Sequence, residues 1–218
     1  MTHTHHTPDA PAPDRPADFW EGFYRNGDRI WSGRPNPLLV REASDLTPGT
    51  ALDLGCGEGA DAVWLAARGW QVTAVDISAT ALERAARHAA DAGVGERIDW
   101  QRHELGHTFP DGSFDLVSAH YLQSPVELDL YGILRRAAGA VAPRGTLLIG
   151  LHATWPSWRQ EPPFDGEFPT LEGLLSELAL PESEWTVVTA ETVHKPSVSP
   201  DGVEGFRGDN VWRLRRAG

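Results

Sequence analysis

The sequence is poor in sulfur. Cys56 is its only cysteine and Met1 its only methionine. A single cysteine cannot form an intrachain disulfide, so a reducing, cytoplasmic setting is expected. Long apolar runs are also missing. None approaches the roughly 18 residues that span a bilayer, and no signal-like stretch follows the start, so neither a membrane nor a secretory route is expected. Positive charge is scarce: 19 basic residues face 31 acidic ones, for a net charge of −12. Nucleic-acid affinity rests on cationic neutralisation of phosphate, so no nucleic-acid partner is expected.

What is present suffices for one domain of ordinary size, with 40% hydrophobic residues over 218 positions. Residues 1–18 hold four prolines and three histidines and no apolar period. They read as a disordered leader, with a metal-binding tail as the alternative reading. The folded chain is expected from about Phe19 as a single domain. It divides into an N-terminal segment 19–49, a half 50–150, and a closing part 151–218.

From residue 50 onward, strand and helix patterns alternate. "TALDLG", "WQVTAVD", "RIDWQRHE", "SFDLVSAHY" and "GTLLIGL" read as five strands. Helices are expected over residues 61–68 and from Ser78 to the stop at Gly93. A third is expected from a capping box at Ser124, Pro125 and Glu127 to about residue 142. Such alternation predicts a doubly wound, Rossmann-like parallel sheet covered on both faces. "EWTVVTAETV" and "NVWRLRRA" add two strands, expected as an antiparallel pair joined by a long loop over residues 194–209. The expected total is seven strands, six parallel and one reversed.

The stretch "GCGEGA" at residues 55–60 fits the dinucleotide fingerprint, and Asp76 lies twenty-one residues after Gly55, near the spacing of a ribose-binding acid. Taken alone, the pattern allows a nicotinamide cofactor. Asp53 and Glu58 argue against one, because a carboxylate about 4 Å from a phosphate costs several kcal/mol at an effective dielectric near 20. S-adenosylmethionine has ribose and adenine, no phosphate, and two cationic centres, which suit flanking carboxylates.

"ALDLGCGEG", "VTAVDIS" and the alternation resemble the class I S-adenosylmethionine-dependent methyltransferases over residues 19–217. "DFWEGFYRNGDRIWSGRPNPLL" resembles the leader of the thiopurine-methyltransferase and tellurite-resistance-type branch. The resemblance implies that Gly55, Gly57 and Gly59 turn beneath the methionine portion, with Asp53 near its ammonium. It implies that Asp76 takes the ribose hydroxyls, Ile77 packs on adenine, and Glu104 and Leu105 meet the adenine edge. His120 would lie below the methyl group. Trp20, Trp31 and Arg34 would close over the cofactor, Arg34 by pairing its carboxylate.

His120 and His152, at carboxyl ends of strands, are the candidate general bases. Tyr121, Trp155 and Trp158 are candidate contacts of the acceptor, the last two in an aromatic segment, "HATWPSWRQEPPFDGEF", that would form an apolar lid. Each has a plain alternative: Trp20 and Trp31 could be core aromatics, Glu104 and Arg34 surface residues, and Cys56 a packing residue. The expected activity is methylation of a small molecule, a thiol slightly ahead of a hydroxyl or amine, by a monomer or homodimer holding no metal. A non-catalytic cofactor-binding protein and a nicotinamide oxidoreductase are the alternatives. The leader is expected to be a lid, ordered by cofactor.

Overall fold

A computed structural model describes residues 15–27, 30–159 and 168–218. Two helices precede the sheet, α1 (Pro16–Arg25) and α2 (Pro37–Ala43). Then follow β1 (Thr50–Leu54), α3 (Ala60–Ala67), β2 (Gln71–Asp76), α4 (Ala79–Asp91), β3 (Ile98–Arg102), β4 (Phe114–His120), α5 (Leu130–Gly139), β5 (Val141–His152), α6 (Leu171–Leu178), β6 (Trp185–Val198) and β7 (Glu204–Arg216). The strands form one sheet in the order β3-β2-β1-β4-β5-β7-β6. β1 to β5 run parallel, and β7 is antiparallel to both its neighbours, so six strands point one way and one the other.

Each face of the sheet buries its own apolar cluster. On one side α5 and α6 bring Ile133, Leu134, Leu174 and Leu178 onto Leu147, Ile149 and Trp212. On the other, α2 and α3 bring Leu38, Leu39 and Leu65 onto Leu148 and Val211. Full burial of such side chains is worth about 1.5–3 kcal/mol each. α2 starts where Asn36 accepts the Leu38 N–H (3.0 Å) and Pro37 occupies the first turn, where its missing N–H costs nothing. That anchor fixes the preceding segment above the carboxyl ends of the strands.

Three expectations need correction. Ser124 does not start a helix: its hydroxyl accepts from Val126 N (3.3 Å) and from Trp20 Nε1 (3.3 Å), while α5 begins later with Asp129 accepting from Gly132 N (2.9 Å). A local serine turn, tied to the leader, outcompetes the capping box. That helix also stops at Gly139 rather than near 142, because β5 pairs Val141 with Phe114. Finally, residues 194–209 are no long loop. Pairing of β6 with β7 runs from Trp185↔Arg216 to Val198↔Glu204, so only residues 199–203 turn. The extended hairpin satisfies backbone groups that a loop there would leave to water. α1 starts at Pro16, three residues before Phe19; residues 1–14 of the leader lie outside the described residues. α6, with Thr170 accepting from Gly173 N (3.0 Å), had no counterpart in the sequence reading.

Candidate active site

The turn after β1 is forced by backbone geometry. Gly55 and Gly57 have φ of +70° and +54°, which side chains rarely adopt. A Cβ on Gly57 would lie 2.9 Å from the Tyr24 hydroxyl, and one on Gly55 2.7 Å from Leu122. Gly59 is the N-cap of α3. At the end of β2, Asp76 is buried and accepts from Gly57 N and Ser78 N, both at 2.9 Å. Asp53, also buried, has one carboxylate oxygen, Oδ2, without a hydrogen-bond partner among the described residues. Burial, then the charges of Asp61 and Asp76, push the Asp53 carboxyl well above its ordinary range. Burial also raises Asp76, and lifts Asp61 to about 6. Two buried carboxyls and the part-buried Asp61 beside them are a setting in which a bound cation would favour the ionised forms.

Glu58 does something other than face the cofactor. Its carboxylate accepts from Ile30 N (3.2 Å) and Trp31 N (2.9 Å) and pairs with Arg84 Nη1 (2.9 Å). Arg84 also donates to the Gly27 carbonyl. Glu21 of α1 accepts from Ser78 Oγ (2.8 Å) and Thr80 Oγ1 (2.6 Å), hydrogen bonds that outweigh burial and hold its carboxyl at about 2. The leader is thus latched at two points, to Glu58 of the glycine turn and to the start of α4. Between them Trp31 Nε1 donates to Tyr24 Oη (3.2 Å) beside Gly57. Trp20 packs edge-on against Phe19 and Phe23, whereas Trp31 is half exposed and Arg34 is exposed.

The other expected residues divide. Ile77 is half-buried and its carbonyl accepts from Arg102 Nε (2.9 Å). Glu104 faces His107 at 3.4 Å, and Leu105 is buried in the core cluster. His120 is buried; Ser118 Oγ lies 2.9 Å from its Nδ1, Nε2 has no partner, and burial lowers its pKa to about 4. It is a neutral ring below the surface. Trp155 meets Phe168 edge-on at 5.0 Å. Trp158 donates to Ser197 Oγ (3.1 Å) and leans on the β6–β7 hairpin. Residues 160–167 of the expected lid lie outside the described residues.

His152 is the ring that the fold equips. It ends β5 opposite Asp209 of β7, and its Nδ1 lies 2.8 Å from Asp209 Oδ1. Tyr121 donates to Asp209 Oδ2 at 2.8 Å and stacks on the His152 ring, centroids 4.3 Å apart. Lys195 contacts the same oxygen and donates to Tyr121 Oη at 3.1 Å. Burial opposes ionisation of Asp209, but the hydrogen bonds from His152, Lys195 and Tyr121 hold its pKa at about 2. The carboxylate can only accept, so His152 Nδ1 carries the proton and Nε2 keeps its lone pair. Burial lowers the His152 pKa, against the pull of Asp209, and the ring is neutral near pH 7. Tyr121 holds φ +53°, a strained value for an aromatic residue, common where a site over-determines the backbone. Sequence reasoning missed Asp209, because it lay in the supposed loop; only strand pairing brings it to His152.

Residues 51–145 match the family described as a methyltransferase domain. A 2-heptyl-1-hydroxyquinolin-4(1H)-one methyltransferase of Mycobacteroides abscessus is 30% identical over 164 residues, covering 72% of this chain and 68% of that one. The chain belongs to the class I S-adenosylmethionine-dependent methyltransferases. Thiocyanate methyltransferase 1 of Brassica oleracea is 31% identical over 114 residues, about half of each chain. A structure solved in work on the conversion of a disulfide bond into a thioacetal group during echinomycin biosynthesis superposes with a TM-score of 0.71. It is 25% identical and covers 92% of this chain and 91% of its own. The chain spans between 26% and 68% of the length of the first curated relatives that it matches. Family membership removes the nicotinamide alternative. Among the described residues no helix is long and apolar enough to cross a membrane, and no cluster of metal-ligating side chains occurs.

The residues at the turn fit S-adenosylmethionine. The orphaned Asp53 oxygen suits an ammonium, and the Asp76 carboxylate suits paired hydroxyls.

Proposed function

We propose that the chain methylates a small, thiol-like acceptor, with His152 as the general base and Asp209 fixing its tautomer. The observation that carries this reading is the Tyr121–Asp209–His152 arrangement, where the carboxyl ends of β4 and β5 meet the amino-terminal half of the antiparallel β7. When bound, S-adenosylmethionine supplies a methyl group on a sulfonium, an electrophile needing no further activation. Asp53 and Asp76 would hold its ammonium and ribose. Ile77, Glu104 and Leu105 would line the adenine side, and Trp20, Trp31 and Arg34 would cover it. His120, neutral and buried, would serve as packing beneath the site rather than as a base. The chain's own contribution is alignment, which can be worth up to about 7–11 kcal/mol, and removal of the acceptor's proton at His152 Nε2.

Sulfur as the nucleophile is supported by the thiocyanate methyltransferase relative and by the likeness to a structure solved in work on thioacetal formation. A hydroxyl acceptor is the second reading, favoured by the oriented base and by the hydroxyquinolone relative. The enzyme would work in the cytoplasm as a single domain from about residue 16, its leader acting as a lid. Incubation with methyl-labelled S-adenosylmethionine and a panel of thiols, phenols and amines tests the proposal. Label on thiols first and phenols second is expected. Label on amines alone, or on nothing, overturns it.

A further inference from the structure

Beyond His152 the same face of the sheet carries two cations. On β7 Arg207 lies two residues from Asp209 and so points to the same side, and its pairing partner on β6 is Lys195. Lys195 is the only lysine in 218 residues; the other eighteen basic residues are arginines. Elsewhere on the hairpin, Arg213 is absorbed by Asp45 at 3.1 Å. Arg207 is not absorbed in this way. Among the described residues its buried Nε has no hydrogen-bond partner, and its one ion-pair contact is a long 3.7 Å to Asp209. Asp209 is already engaged by His152, Tyr121 and Lys195. Two cations therefore share one saturated carboxylate, in a chain whose net charge is −12. Both remain reachable, Lys195 with 37% and Arg207 with 30% of the side chain exposed.

The sheet order says which molecule they would meet. The glycine turn follows β1, with the ribose acid on β2 to one side. β7 lies three strands to the other side and β6 four, roughly 14 and 19 Å at the usual strand spacing of about 4.8 Å. The cations stand on the acceptor's side of the site, next to the base.

We propose that Arg207 and Lys195 bind an anionic group of the methyl acceptor, so that the substrate is a small thiol or phenol carrying a carboxylate near its nucleophile. Arg207 supplies the planar fork that matches a carboxylate and Lys195 a point charge opposite it. The Tyr121–His152 stack offers a flat wall between that anchor and the reacting atom. The inference rests on the acceptor site proposed above, and its test is a binding measurement independent of turnover.

The chain is first saturated with S-adenosylhomocysteine, and thiosalicylate and thiophenol are then titrated calorimetrically. Thiosalicylate should bind at least tenfold more tightly. The advantage should vanish in Arg207→Gln, return in part in Arg207→Lys, and shrink with added salt. In the native chain thiosalicylate should also slow acetylation of Lys195, read by peptide mass, which needs no variant to fold. Equal affinity for the two probes, or acetylation that proceeds unchanged, overturns the proposal. So does a loss of S-adenosylhomocysteine affinity in Arg207→Gln as large as the loss for thiosalicylate, since the cations would then serve the cofactor's own carboxylate. Tight thiosalicylate binding without methylation of any thiol or phenol would support the anion site and refute the transfer reaction.

Discussion

Replacing Asp209 by Asn tests the base without changing the shape of the site. The two carboxylate oxygens have different duties: Oδ1 takes His152, while Oδ2 takes Tyr121 and meets Lys195. An asparagine must turn an NH2 toward one of them. Toward Lys195 it would set two donors against each other, so the amide oxygen stays on that side and the NH2 faces His152 Nδ1. That nitrogen must then accept, the ring proton moves to Nε2, and the lone pair that would take the acceptor's proton is gone. The size of the effect depends on the acceptor. A thiol of pKa about 8.5 is roughly 3% ionised at pH 7, so losing the base can cost at most about 30-fold. A phenol of pKa about 10 is roughly 0.1% ionised, and the ceiling rises to about 1000-fold. Both deficits should fade above the acceptor's pKa, where no base is needed. The assay is kcat/KM for one alkyl thiol and one phenol from pH 6 to 10.5, with the melting temperature as a check on folding. A deficit that is the same at every pH would make Asp209 merely structural. No deficit with the phenol at pH 7 would refute His152 as the base.

Three further outcomes follow from the site. Asp76→Ala removes the acceptor for Gly57 N and Ser78 N as well as the ribose contact proposed above. It should lower unfolding stability, with each buried N–H left unpaired costing about 1–3 kcal/mol, and also weaken cofactor binding; a variant as stable as the parent in denaturant titration would contradict this. Glu58→Ala deletes two hydrogen bonds from the leader to a charged acceptor, worth about 1.5–3 kcal/mol each, so the amides of Ile30 and Trp31 should exchange at least tenfold faster while the sheet is unchanged. Unaltered exchange would mean that the leader does not depend on this latch. Cofactor binding should release protons near pH 6 and weaken as pH falls further, because Asp61 titrates near 6 and Asp53 is raised, and a bound ammonium favours their ionised forms. Binding enthalpies at pH 6 that are identical in buffers of different ionisation heat would rule that out.

The parallel half of the sheet was legible because its information is local. "TALDLG", "WQVTAVD" and "GTLLIGL" carry their own apolar periods. The glycines of "GCGEG" announce a turn that only they tolerate, and the spacing to Asp76 follows from one strand–helix–strand unit. Ser78 could be read as a cap because capping is a contact three residues long. Glu58 shows the limit of that locality. Its charge was read as facing the cofactor, yet it is taken up by Ile30, Trp31 and Arg84, 26 to 28 residues away. Ser124 had the letters of a capping box, but an indole 104 residues off occupies its hydroxyl.

His152 and Tyr121 were legible as candidates at strand ends, but only the tertiary structure gave them their shared partner, Asp209. His152 and Asp209 are 57 residues apart, and Tyr121 and Asp209 are 88 apart. Their meeting requires that β7 enter the sheet antiparallel beside β5, in a register pairing His152 with Asp209. A one-residue slip would turn Asp209 and Arg207 to the opposite face. Register is set by packing of Val211 and Trp212 on opposite sides of the sheet, a sum over many side chains that no short motif encodes. The glycine turn, its acids and the family resemblance they carry pointed to the cofactor from short stretches of chain; the pairing of the last strands decided where Asp209, Lys195 and Arg207 stand relative to His152.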